Sequence, residues 1–157
     1  MDIAAEIAAV LEDEWVPNIY RDKIRSQRTR SITIDVPPRT NVAAIQYTLL
    51  GIEVKVGKRR FACPDLATAR YMRVFARIGC SSFAIPYDIT RISAAADDLE
   101  TAWQRSLLLL ESMTKGNAPM SMSALRSKLV KTIRSEVNGI GPGEAMPVFN
   151  RETRQRL

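Results

Sequence analysis

The stretch IEVKVGKRRFAC, residues 52 to 63, decides the fold, because it reads as two strands joined by a two-residue turn. Gly57 first in the loop Gly57-Lys58 suits a type II′ hairpin turn, whose twist matches that of the flanking strands. The register follows, with Val56 opposite Arg59, Val54 opposite Phe61 and Ile52 opposite Cys63 on one face. The other face carries Glu53, Lys55, Arg60 and Ala62, since successive side chains alternate. Lys55 then stands opposite Arg60, and like charges directly across a strand pair are unfavourable. Glu53 lies beside Lys55 and diagonal to Arg60. It can balance part of this charge as an ordinary solvated ion pair, or hold a metal that completes the balance.

Working outward, PDLATARYMRVFARIG predicts a helix over 65–78, with Asp65 as an acidic starter and Gly79 as its stop. CSSFAIPYD adds a short strand around Phe83 and Ile85. Upstream, SITIDV (31–36) alternates Ile32, Ile34 and Val36 with polar residues and stops at Pro37-Pro38, which predicts a half-buried strand. Between it and the hairpin, Val42, Ile45 and Leu49 have helical spacing and predict a short helix closed by Gly51.

Ile3, Ile7, Val10 and Leu11 mark an N-terminal helix that ends at Pro17, followed by a charged connector over 20–30. A long helix is expected over about 94–114, with a stripe of Leu99, Trp103, Leu107 and Leu110. A second follows, capped by Ser121 or Ser123 and lined by Leu125, Leu129 and Ile133, to about 138. The expected class is α/β, with α+β as its variant. It takes the form of a small mixed four-stranded sheet flanked by helices, with a C-terminal helix pair. The strand 80–86, reached through a helix, is expected to lie parallel to a neighbour. Residues 1–138 form one domain and the basic stretch 139–157 reads as an extended or mobile tail.

Composition narrows the chemistry. The chain has 157 residues and no histidine, which removes histidine-based triads, imidazole relays and His-ligated zinc. Neither the phosphate-loop nor the dinucleotide-binding glycine pattern occurs. The two cysteines, Cys63 and Cys80, read as small buried hydrophobes. No apolar run nears the length of a membrane span, no leader is evident, and the expected location is cytoplasmic. The net charge of +6 is uneven: residues 20–30 are basic, whereas the first fourteen hold five acids and no base. Clustered bases are the footprint of a polyanion partner such as DNA or RNA. Arg70, Arg73 and Arg77 fall in one sector of the helix 65–78, which reads either as an ordinary wet helix face or, with Lys58, Arg59 and Arg60 at the hairpin, as one phosphate-binding surface.

Glu53-Val54-Lys55 on a strand, with Asp35 eighteen residues earlier, resembles the D…(D/E)-x-K signature of the restriction-endonuclease-like nucleases. The resemblance extends over roughly residues 1–86. It implies that Asp35 and Glu53 hold Mg²⁺ or Mn²⁺ and that Lys55 assists catalysis. Hard carboxylate oxygens suit such ions, and a bound metal activates water without histidine. Two readings therefore stand. One is a metal-dependent nuclease-like protein. The other is a non-enzymatic binding or assembly protein with a basic face, whose C-terminal helices, through Leu108 and Leu109, form a homodimer.

Overall fold

The computed structural model describes residues 2–115 and 121–143. Five helices, α1 (Ile3–Leu11), α2 (Val16–Ile19), α3 (Leu66–Ile78), α4 (Ile92–Thr114) and α5 (Met122–Ile140), surround two small sheets. Strands β1 (Thr29–Thr33) and β5 (Ser82–Pro86) form one sheet. Strands β2 (Ala43–Thr48), β3 (Gly51–Val56) and β4 (Arg59–Cys63) form the other, in that order. The mixed helix-and-strand class and the C-terminal helix pair hold. The single four-stranded sheet is replaced by five strands in two sheets.

The hairpin β3–β4 has the expected register, including Val56 opposite Arg59 and Lys55 opposite Arg60. Gly57 has φ +62, and among the described residues Glu12 is the only non-glycine with positive φ, so Lys58 lies on the negative side. That combination is the type II′ turn. Val54 and Val56 are buried against α3, which fixes the register by burying one face.

Two expectations fail for tertiary reasons. Residues 43–48 are a strand, not a helix: β2 pairs along the whole of β3, from Ala43 opposite Val56 to Thr48 opposite Gly51. The side chains that suggested helical spacing do not share a buried face, since Val42 is 88% exposed and Leu49 fully exposed. Ala43 and Ile45 point inward instead, and the small alanine hid the period-two pattern. Similarly, β5 does not lie parallel to a neighbour but pairs antiparallel with β1, Ser31 opposite Ala84.

Why there are two sheets is visible at Ala84. Its carbonyl accepts from the Tyr71 hydroxyl at 2.6 Å, and its N–H donates to the Tyr20 hydroxyl at 2.8 Å. Both main-chain groups of this central β5 residue therefore point away from β1 and are closed by tyrosines, where a further strand would otherwise pair. Tyr20, Tyr71, Phe75 and Phe83 form the aromatic centre of the core, with Phe75 and Phe83 stacked at 4.3 Å.

Elsewhere Pro17 does not end the N-terminal helical region. It opens α2, where a missing N–H costs nothing, and a π-turn over Tyr20–Ile24 follows. Trp15 is buried there and donates its indole N–H to Glu136 on α5 at 2.9 Å. Helix α5 extends past 138, and the Gly141 carbonyl accepts from Tyr20 and Arg25, so 139–141 belong to the packed body. The rest of the expected tail, from 144 on, lies outside the described residues. Among the described residues no helix is long and apolar enough to cross a membrane.

Candidate functional site

Helix α3 and its C-terminus set up the hairpin's surroundings. The Asp65 side chain caps its start by accepting from Thr68 N–H at 2.7 Å. Gly79 ends it in the left-handed region, φ +84, with Cys80 N–H returning to Phe75 O at 3.0 Å. A Cβ at Gly79 would collide with the backbone of Arg39, so only glycine lets the loop after β1 dock here. Asn41 pins that loop: its amide donates to Pro37 O and Ala76 O, both at 3.0 Å, and its N–H donates to Arg77 O at 3.1 Å. The last carbonyls of α3 thus hold residues 37–41 beside the hairpin turn.

The two acids singled out in the sequence have different basic partners. Asp35 lies beyond the end of β1, is exposed, and pairs with Arg59. Arg59 springs from the face of Val54 and Val56. Glu53 rises from the opposite face, is mostly covered, and sits 3.7 Å from Arg60. Its Oε1 is buried without a hydrogen-bond partner. Among the described residues no group of three or more metal-ligating side chains gathers anywhere. Each carboxylate is thus beside a different guanidinium of the hairpin, the arrangement of two separate ion pairs.

Lys55 is on the Glu53 face opposite Arg60, as expected, and the rung bears two cations. Among the described residues neither Lys55 nor Lys58 forms an ion pair. The hairpin therefore carries more positive charge than Asp35 and Glu53 balance.

The arginines of α3 behave differently. Arg70 donates to Glu100 on α4 at 2.6 Å and also pairs with Asp97, and Arg73 reaches Glu100 at 3.0 Å. Burial works to raise the Glu100 pKa, but hydrogen bonds from Arg70 and Arg73 outweigh it and hold the carboxyl below its ordinary value. Arg77 is directed at the Ala43 carbonyl of β2, 3.5 Å away, and burial lowers its pKa, with Arg73 adding to the effect. These side chains tie α3 to α4 and to β2 and are not an open row of cations.

Sequence reasoning did not single out Arg39, which flanks the hairpin turn, nor Glu100 and Asp97, which neutralise α3. The acidic run Asp97-Asp98-Leu99-Glu100 on the predicted helix was the available signal for the latter. Cys63 and Cys80 are free and buried, and burial pushes their thiols up to about 11 and about 12. Neither is a thiolate near neutral pH. Comparison of the chain with models of protein families, with curated proteins and with solved structures finds no match.

Proposed function

We propose that this protein binds a phosphate-bearing polyanion, DNA or RNA, through the β3–β4 hairpin. The observation that carries the reading is the Lys55–Arg60 rung, two like charges held face to face with only Glu53 beside them. Such a rung is unfavourable alone and favourable under an anionic strand, whose phosphates supply the missing charge. Lys58 adds a further cation at the turn, at the tip of the same hairpin. The reading is of binding and not of metal-dependent cleavage, because Asp35 and Glu53 meet different guanidinium groups on different faces.

The test is the salt dependence of binding to a duplex DNA by fluorescence anisotropy. Each phosphate contact contributes about 0.9 to the log–log slope, so Lys55→Ala with Lys58→Ala should flatten it by roughly two contacts' worth. Arg70, Arg73 and Arg77 should not contribute, since their partners lie within the fold. An unchanged slope in the double lysine variant sinks the proposal.

A second reading concerns assembly. Val10 and Leu108, each more than half exposed, flank an apolar groove of about 550 Å³ between α1 and α4. A paired Glu14 and Arg105 also line it. A second copy related by a two-fold axis suits this patch, because Glu14 of one chain can meet Arg105 of the other. On this reading self-association runs through exposed Leu108 on α4, with partly buried Leu109 in the wall of the same groove. Leu108→Glu should convert a dimer to a monomer in sedimentation analysis, and a monomeric wild type would remove this reading.

A further inference from the structure

Beside the hairpin turn lies a cleft of about 490 Å³, walled by the pinned loop on one side and by Val56 to Arg59 on the other. Its charged lining residues are Arg39, Lys58 and Arg59, all cations. Among the described residues Arg39 and Lys58 have no ion pair, and Arg59 has only exposed Asp35. Thr40 also lines the cleft, and its hydroxyl is buried without a hydrogen-bond partner. The N–H groups of Gly57 and Lys58 lie within the two-residue turn, outside the β3–β4 ladder. Pro37 and Val42 supply an apolar wall next to these donors.

The geometry points to a nucleotide-phosphate site: the phosphate between Arg39, Lys58 and Arg59, the sugar or base against Val42 and Pro37. This deepens, and rests on, the reading of the hairpin as a nucleic-acid-binding element. Cations lining one cleft make a site for an oxyanion, because Arg39 and Lys58 gain a charged acceptor they now lack and Arg59 can exchange Asp35 for one. Asn41 and the close approach of Gly79 hold the loop to the end of α3, against which Val54 and Val56 of the hairpin are also packed. Asp35 then has a definite role. Its carboxylate sits on Arg59 where a phosphate oxygen would bind, as a built-in competitor that an incoming phosphate displaces.

The experiment titrates the full-length protein with a short fluorescein-labelled single-stranded DNA lacking terminal phosphates. Wild type is compared with Arg39→Ala, Asp35→Asn and Lys55→Ala, and an unlabelled deoxynucleoside monophosphate serves as competitor. Arg39 and Asp35 are exposed, so both variants keep the fold, which a thermal melt verifies. Arg39→Ala should weaken strand binding roughly tenfold, as expected for the loss of one charge-assisted phosphate contact. Asp35→Asn should tighten it about two- to fivefold by removing the competing ion pair. Competition by the monophosphate in wild type, lost in Arg39→Ala, would show that a free nucleotide fills the same cleft. Strand binding without such competition would assign the cleft to phosphodiesters within a strand.

If Lys55→Ala weakens binding while Arg39→Ala and Asp35→Asn match wild type, the hairpin reading stands and the cleft is overturned. If wild type binds no strand, the hairpin reading fails, and calorimetry with the monophosphate alone decides the cleft. A weaker Asp35→Asn variant that has also lost Mg²⁺ binding would overturn the competitor role in favour of metal ligation.

Discussion

Helix α3 and the β3–β4 hairpin each present a row of basic residues, and in the sequence the two rows look equivalent. In the structure they are opposites. Arg70 and Arg73 converge on Glu100, with Asp97 on the flank, and Arg77 is directed at the main chain of β2. Lys55 and Arg60 face each other across a rung, and Lys58 extends from the turn without a partner among the described residues. A cation closed off by carboxylates of the same chain stabilises the fold, whereas one left facing its own kind is available to a ligand. The deciding quantity is therefore not the number of cations but where the nearest acids fall once the helices pack.

The contrast is most forcefully broken from α4, the element that delivers the acids. Trp103 is 4% exposed in the stripe that seats α4. Trp103→Ala should cost about 3 to 5 kcal/mol in chemical denaturation, the range for truncating a buried large aromatic. A loss below about 1 kcal/mol would mean that α4 is not anchored there, and the neutralisation of α3 would lose its basis.

Glu100→Gln sharpens the comparison at the joint itself. It should destabilise by about 2 kcal/mol, because two guanidinium groups lose a charged acceptor. It should also alter the acid limb of stability. The folded-state pKa of Glu100 is depressed, so its contribution is complete above the ordinary value of 4.5 and fades as pH falls through the folded-state value. The variant should accordingly lose stability at neutral pH and approach wild type in acid. A constant offset at every pH would contradict the assignment.

The smallest effect is expected on the hairpin. Glu53→Gln should change stability by less than about 1 kcal/mol, since the carboxylate has one loose ion pair and a buried oxygen that already lacks a hydrogen bond. Calorimetry with Mg²⁺ and Mn²⁺ should be flat for wild type and variant alike. Metal binding by wild type that Glu53→Gln abolishes would restore the metal-centred reading.

Much of the hairpin was legible because its information is local. A glycine in a two-residue turn and alternation on both sides specify the type II′ geometry, the register and the like-charged rung within twelve residues. Helix α3 was equally legible, from Asp65 at its start to Gly79 at its end. Strand β2 was not. The spacing of Val42, Ile45 and Leu49 matched a helix, and nothing within those residues announces that β3 offers an open edge, which is what makes them a strand. The candidate site divided in the same way. Lys55, Lys58 and Arg60 stand where local pattern put them, while the surroundings of Asp35, Arg39 and the arginines of α3 depend on distant segments.

By itself the sequence determined the helix-and-strand class, the hairpin and its charge, both C-terminal helices, the burial of the cysteines and the exclusion of histidine chemistry. Those follow from turn residues, caps and periodicity, which act over one or two turns of chain. Tertiary structure alone decided that there are two sheets, because Tyr71 on α3 and Tyr20, 64 residues away, close the edge of β5 at Ala84. It alone decided that Asp35 meets Arg59 and that Glu100 takes up Arg70 and Arg73. A side chain's charge is written in the sequence, but its partner is chosen by packing, and the balance between the two separates a structural cation from one free to bind.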